Sequence, residues 1–265
     1  MALRIGSFLV LPLENHLRST REGGRMAYFE QLHSGIRILQ PDDCFRMSTD
    51  SVLVANFLTL GHAMRIADLG CGSGNITFLL AGRAPDCRIT GLELQPLACQ
   101  AAQESVRRNA LAPRVEILQA DLRQIRTILP QHSFDAAVAN PPYFPQGSGQ
   151  AAASPLLAAA RSEATCTLAQ LLDAAAWLVK TGGRLALVYR PERLCDLLCG
   201  LRQAGFEPKR MRLVRHHAGA PVSLLLVESR RGGKPGLALE PDLLLFTPDG
   251  APTAEYRQLY YLDKE

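Results

Sequence analysis

Four stretches of this chain of 265 residues carry side chains whose types and spacing suit chemistry. In Asp68-Leu69-Gly70-Cys71-Gly72-Ser73-Gly74, the glycines allow a tight turn and a close approach of backbone to a ligand. An isolated Gly-x-Gly-x-Gly is often an ordinary turn, so its neighbours matter. A dinucleotide fingerprint needs its third glycine at position 75, which is Asn75, and the Gly-Lys-Ser/Thr of a Walker A loop is missing. Carboxylates follow at Glu93 and at Asp121. The fourth stretch is Asn140-Pro141-Pro142-Tyr143. Two consecutive prolines bar a regular continuation and hold the backbone to one course. As structure alone this is a rigid turn. As chemistry, an amide side chain beside a backbone fixed by prolines offers hydrogen-bonding groups held in one place. Tyr143, with Phe144 beyond it, offers a ring on which a flat group can stack.

These residues sit where strands end. Residues 66–69, 88–92, 115–118 and 134–139 are short apolar runs that read as strands. Residues 75–81 and 96–110 read as helices, with Pro96 in a first turn where its missing N–H does no harm. Further on, 168–180 reads as a helix C-capped at Gly182-Gly183, 184–189 as a strand, and 191–204 as a helix closed by Gly205. Residues 211–214 and 222–228 read as a final strand pair. Such alternation predicts a mostly parallel sheet with helices on both faces, and ligands outside the carboxyl ends of its strands. Upstream, Ser48-Thr49-Asp50 reads as an N-cap before an apolar helix. Residues 1–25 have no clear period, and residues 147–160, rich in Gly, Ala, Ser and Pro, read as a mobile loop.

With carboxylates at successive strand ends, the glycine stretch resembles motif I of the class I methyltransferases, whose broad form Asp-x-Gly-x-Gly-x-Gly it matches throughout. That resemblance implies an α/β, Rossmann-like fold with a mostly parallel seven-stranded sheet, and S-adenosyl-L-methionine as cofactor. Asp68 then meets the cofactor's ammonium, directly or through water, and N–H groups of the turn at Gly70, Gly72 and Gly74 meet its carboxylate. Glu93 takes the ribose hydroxyls, Asp121 the adenine amino group, and Leu94 and Leu122 flank the adenine ring. Asn140-Pro141-Pro142-Tyr143 resembles the motif of methyltransferases that act on the amino groups of adenine, guanine or glutamine amides. Such a nitrogen is a poor nucleophile because its lone pair is delocalised. Asn140 and Pro141, by accepting its N–H bonds, would aim that lone pair at the sulfonium methyl. Positioning and fixed dipoles then supply the catalysis without a strong base. Stacking on Tyr143 would add ~1–3 kcal/mol.

Other stretches narrow the group: Gly35-Ile36-Arg37-Ile38-Leu39-Gln40, Phe45-Arg46-Met47-Ser48-Thr49-Asp50, Ala160-Arg161-Ser162-Glu163, Pro208-Lys209-Arg210, Arg231-Gly232-Gly233-Lys234, and the tail from Tyr256 to Tyr261. With the two motifs they resemble the bacterial tRNA adenine-37 N6-methyltransferase family, which acts on a valine tRNA, over residues 26–262. The resemblance implies tRNA as partner and a cytoplasmic location. Three alternatives stand beside it: a ribosomal RNA guanine N2-methyltransferase, a protein glutamine N5-methyltransferase, and a cofactor- or RNA-binding module without activity. The glutamine enzymes usually carry a larger helical domain ahead of motif I.

Composition sets the outer limits. Hydrophobic residues make up 47% and charged residues 20%, ordinary for a globular protein, and no apolar run reaches membrane-spanning length. The seven cysteines contain no Cys-x-x-Cys and read as free thiols, mostly small core groups. His216-His217 are adjacent and read as surface or RNA-facing groups, so no metal is expected. Net charge is +4, but residues 201–235 alone carry +6. Such an excess can be a solvated face or can attract phosphates, and on the second reading Lys209, Arg210 and Lys234 contact RNA. The expected organisation is a disordered, dispensable extension over residues 1–25, a methyltransferase domain with its helical lead-in over 26–230, and a C-terminal extension over 231–265 packed on it, with a monomer favoured.

Overall fold

A computed structural model describes residues 16–22, 25–42, 44, 47–141 and 166–260. Phe45, Arg46, Tyr143, Phe144, residues 147–163 and Tyr261 lie outside the described residues. So do residues 1–15 of the expected extension.

Three antiparallel strands come first: β1 (His16–Glu22), β2 (Arg25–Gln31) and β3 (Arg37–Pro41). The absence of a period before residue 26 hides β1, which pairs with β2 from His16↔Glu30 to Glu22↔Arg25. Its register shifts between Leu17 and Thr20, and such a shift breaks the alternation by which a strand is read. The expected boundary between residues 25 and 26 therefore cuts β2. Next comes α1 (Thr49–Phe57), capped by the Ser48 side chain as expected.

The main domain then alternates β4 (Arg65–Leu69), α2 (Asn75–Arg83), β5 (Arg88–Glu93), α3 (Pro96–Arg108), β6 (Val115–Gln119), α4 (Ile125–Ile128) and β7 (Phe134–Ala139). It continues through α5 (Leu168–Leu178), β8 (Val179–Tyr189), α6 (Leu194–Gln203), β9 (Phe206–Arg215), β10 (Val222–Arg231), β11 (Ala238–Leu244) and α7 (Ala254–Leu259). The strands lie in the order β11-β9-β10-β8-β7-β4-β5-β6, and only β10 runs against the others. The sheet thus has eight strands where seven are expected. The eighth, β11, is an edge strand that carries Glu240, Pro241 and Asp242. Proline and exposed charge are tolerated at an edge and erase the apolar pattern of an inner strand.

Alternation along the strands divides the core. Ile66, Val138, Ala186, Val188, Leu224 and Leu226 face α1 and α2, whereas Ala67, Leu69, Ala137, Leu185, Leu187 and Val227 face α5 and α6. Gly182-Gly183 does not cap α5, which ends at Leu178. The pair belongs to a bulge at the start of β8, between the Val179↔Phe134 and Arg184↔Ala136 pairings. Gly182 has φ +80°, and a Cβ on Gly183 would lie 2.7 Å from the Asp135 carbonyl oxygen, so glycine is needed at both. All seven cysteines are free; Cys44, Cys71, Cys87 and Cys99 are buried, but Cys195 and Cys199 lie exposed on α6. Among the described residues no helix is long and apolar enough to cross a membrane.

Arg210 ties the far edge of the sheet to α1. Its guanidinium donates to Glu240 at 2.6 Å and to the Thr59 hydroxyl at 2.6 Å, and lies 4.4 Å from the Phe57 ring centroid. Buried Glu228 accepts from the Thr59 N–H at 2.6 Å and lies 3.5 Å from the same guanidinium. Removing one partner of such a network strands the other charge. Arg210→Ala is therefore expected to lower unfolding free energy by about 2–3 kcal/mol, read from the denaturant midpoint. An unchanged midpoint would refute this structural role.

Candidate active site

Pairing register brings the candidate residues into one row. Asp68 pairs with Val138 on one side and Gly91 on the other, and Glu93 pairs with Gln119. Asn140 lies two residues beyond Val138 and Gly70 two beyond Asp68, on neighbouring strands about 4.8 Å apart. Asp121 lies two beyond Gln119. The row along the carboxyl ends is therefore Asn140 after β7, the glycine loop after β4, Glu93 ending β5, and Asp121 after β6. From β4 the chain steps outward to β5 and β6 and then returns to β7 on the other side. This reversal opens a crevice between β4 and β7, where such sheets bind ligands.

Gly70, Gly72 and Gly74 all have positive φ, at 74°, 58° and 91°. The loop is held from beneath, because the amides of Gly70 and Cys71 both donate to the Leu92 carbonyl. Gly91 makes room for this packing: a Cβ there would lie 2.8 Å from the Cys71 sulfur and 2.7 Å from Ile117. Glu93 clamps the loop from the side. Its carboxylate accepts from the Gly72 N–H at 2.8 Å and the Gln95 N–H at 2.7 Å, while burial raises its pKa. Each carboxylate oxygen keeps a further lone pair for a hydroxyl donor.

Asp68 is fully buried under the loop. Its Oδ2 accepts from the Thr77 hydroxyl at 2.7 Å, whereas its Oδ1 has no partner among the described residues. Burial pushes the pKa of this carboxyl up from 3.8 to about 7, against the Thr77 hydrogen bonds that lower it. A buried carboxylate oxygen without a donor is costly, and a ligand ammonium is the kind of group that would relieve it. The residues therefore fit the amino-acid end of S-adenosylmethionine.

Asp121, after β6, is held by Arg123, whose Nε and Nη2 donate to its two oxygens at 2.6–3.0 Å. This pairing lowers the Asp121 pKa and keeps the group ionised. Leu122, next to Asp121, is buried, and Leu94, next to Glu93, is exposed. Asn140 is half-buried and Pro141 buried at the end of β7.

The basic positions stand apart from this row. Arg210 pairs with Glu228, which pairs with Ala186, in the row that runs through Val138 to Asp68. Arg210 is thus four strands from Asp68, about 19 Å away. Its guanidinium is taken up by Glu240 and Thr59, and the Lys209 ammonium donates to the Lys234 carbonyl at 3.1 Å. Among the described residues, the structure places Asp68, Glu93, Asp121, Asn140 and Pro141 in one row but does not bring Lys209, Arg210 and Lys234 to it.

Sequence reasoning missed several supports. Thr77 holds Asp68, Arg123 holds Asp121, and Gln40 of β3 reaches the loop. Its Oε1 accepts from the Ser73 hydroxyl at 3.1 Å and its Nε2 donates to Asn75 Oδ1 at 2.6 Å. Thr77 and Arg123 lie nine and two residues from their partners and could have been weighed, but Gln40 is more than thirty residues from its own and carries no local signal.

The family model described as the methyltransferase small domain matches residues 47–198, more than half of the chain. At 32% identity over 228 residues, covering 84% of this chain and 90% of the relative, the chain is similar to a tRNA1(Val) (adenine(37)-N6)-methyltransferase of Yersinia pestis (strain Pestoides F). It is equally similar to the enzyme of that name from Yersinia pseudotuberculosis serotype O:3 (strain YPIII), of which it covers 88%. Its fold is similar to that of a predicted O-methyltransferase from Agrobacterium tumefaciens, with a TM-score of 0.66 at 22% identity, over 80% of this chain and 96% of that one. The chain, built on the methyltransferase small domain, belongs to the family of the tRNA1(Val) (adenine(37)-N6)-methyltransferases.

Proposed function

We propose that this protein transfers a methyl group from S-adenosyl-L-methionine to the exocyclic N6 amine of an adenine in tRNA, position 37 of a valine tRNA. The observation that carries the reading is the single row of Asn140, the Asp68 loop, Glu93 and Asp121 at the switch point of a sheet whose family methylates that amine.

The chain's own groups divide the work. Asp68 receives the cofactor's ammonium on its unpartnered oxygen, and Glu93 offers lone pairs to the ribose hydroxyls while it clamps Gly72. Asp121, kept ionised by Arg123, accepts the adenine amino group of the cofactor between Leu94 and Leu122. When bound, S-adenosylmethionine supplies an electrophilic methyl on sulfur. Asn140 and the Pro141 carbonyl would accept the two N–H bonds of the target amine and orient its lone pair towards that methyl, so that the nitrogen–carbon bond would form as the carbon–sulfur bond breaks and S-adenosylhomocysteine leaves with the electron pair. Stacking on the target base is assigned to Tyr143 and Phe144, which lie outside the described residues. The amine loses one proton to solvent once its nitrogen bears the methyl group, so no buried base is required. A base in a loop is favoured because it can be splayed out at small cost, whereas a paired base must first be unstacked.

The test offers the enzyme unmodified tRNA transcripts, ribosomal RNA fragments and release-factor protein beside labelled cofactor. Label in N6-methyladenosine from valine tRNA is the expected result. Label in N2-methylguanosine, or in a glutamine side chain, would overturn the substrate assignment.

RNA phosphates are assigned to Lys209 and Lys234 at the edge of the sheet, away from the reacting nitrogen. Affinity should then fall with salt by about one logarithmic unit per log salt for each phosphate neutralised. Lys209→Ala combined with Lys234→Ala should lower the slope by up to about 2 in filter-binding titrations, with kcat unchanged. An unaltered slope would remove both residues from the RNA surface.

A further inference from the structure

We propose that Gln40 is a positioning residue for the cofactor loop: from β3 it fixes Ser73 and Asn75, and so sets how tightly S-adenosylmethionine is held. The inference rests on the glycine loop being the cofactor site. Three positive-φ glycines leave the loop little stiffness of its own, so its shape is imposed by neighbours. Glu93 and the Leu92 carbonyl impose it from the β5 side. Gln40 imposes it from the other side, at the point where the loop becomes α2.

The geometry separates this role from simple packing. Gln40 is 0% exposed, and so is Ser73. A buried primary amide is costly unless its polar atoms are bonded, and both bonds of this one go to the loop and the first residue of α2. Attachment of β3 to the domain is secured elsewhere: the Arg37 N–H and carbonyl bond the Asn109 side chain, and the Leu39 N–H donates to the Ser105 hydroxyl. Ile38, fully buried, anchors the strand in the core. An apolar side chain at 40 would serve docking as well, so the amide is explained by what it holds. Orientation matters too. Asn75 Oδ1 requires a donor from Gln40, and Ser73 then donates to the remaining oxygen. Two residues beyond Asn75, Thr77 bonds Asp68, so a shift at the start of α2 reaches the group assigned to the cofactor's ammonium.

The test compares Gln40→Met, which keeps volume without donor or acceptor, and Gln40→Glu, which loses the donor, with the wild type and with Asp68→Ala. Calorimetry gives the Kd for S-adenosylmethionine, and kinetics on valine tRNA transcript give kcat and both KM values. Gln40→Met and Gln40→Glu should raise the Kd and KM for S-adenosylmethionine about tenfold, the effect of one or two net hydrogen bonds. The kcat at saturating cofactor and the KM for tRNA should stay at wild-type values. A lower melting temperature with unchanged cofactor Kd and KM would reduce Gln40 to a structural residue and overturn the inference, as would a fall in kcat alone. If Gln40→Met fails to fold, Ser73→Ala removes the loop's own hydroxyl; it should raise the cofactor Kd severalfold, and an unchanged value again overturns the inference. Asp68→Ala binding cofactor as well as wild type would overturn the loop assignment itself, whereas a weakened Asp68→Ala beside an unaffected Gln40→Met would overturn only the role of Gln40.

Discussion

Asn140→Ala is expected to abolish turnover, a loss of at least about 10²–10³ in kcat, while the affinity for S-adenosylmethionine stays nearly intact. The argument starts from the target. An exocyclic amine conjugated with a purine has its lone pair spread into the ring, and the lone pair must be recovered before it can attack carbon. An acceptor for each N–H bond does this by geometry. In the proposed mechanism Asn140 provides one acceptor and the Pro141 carbonyl the other, and Asn140→Ala removes the first while keeping the residue that supplies the second. The residue follows Ala139 at the end of β7 and is itself half-buried, so circular dichroism and the melting temperature of the variant are read beside its activity. Calorimetry with S-adenosylmethionine and single-turnover methylation separate binding from chemistry. A folded variant with full activity would show that the reacting nitrogen lies elsewhere.

The second large effect concerns Asp68. Asp68→Ala should raise the Kd for S-adenosylmethionine by about 10–10²-fold, as expected when a charge-assisted hydrogen bond is lost in a buried setting. Glu93→Ala should weaken binding in the same direction through the ribose and through the freed Gly72 amide. Asp68→Asn is the cleaner variant, because its amide oxygen can still accept from Thr77. The charge gives this assignment a signature in pH. Burial lifts the Asp68 pKa to about 7, and the cofactor ammonium requires the ionised form. Wild-type affinity should therefore fall about tenfold for each unit below pH 7, and Asp68→Asn should show weak, level binding over that range. Linkage runs the opposite way for the free protein. A carboxyl raised from 3.8 contributes its stability below pH 4, and that contribution is lost as pH rises through about 7, so cofactor should stabilise the protein most at the alkaline end. Level wild-type affinity from pH 5.5 to 7.5, or unchanged affinity in both Asp68→Ala and Glu93→Ala, would detach these carboxylates from the cofactor.

What could be read in advance follows from where the information lies. Glycines 70, 72 and 74 sit within five residues, and Asp68, Glu93, Asp121 and Asn140 each close or follow an apolar run, so local pattern was enough to place them at strand ends. Strand β11 was not legible because Glu240, Pro241 and Asp242 make an edge look like a loop. Gly182-Gly183 misled because positive φ serves a helix end and a bulge alike. Asn75 is the instructive case. Its side chain ruled out a dinucleotide loop on sequence alone, but its oxygen accepts from Gln40, thirty-five positions earlier. Arg210 illustrates the converse. A cluster of positive charge in sequence reads as a surface, yet this half-buried arginine is held by Glu240 and Thr59.

The placement of β10 also bears on how the chain comes off the ribosome. β9 joins the main sheet through β10, and β11 through β9, so a nascent chain that has emerged only as far as Arg215 holds two strands' worth of edge that cannot yet be covered. β8 is exposed on one side until residues 222–231 arrive and slot between it and β9. The Thr59 amide waits for the same event, since its acceptor is Glu228. That single N–H is therefore a natural clock: its protection from exchange marks the moment when the last inserted strand locks the far half of the sheet to the half that holds the cofactor loop.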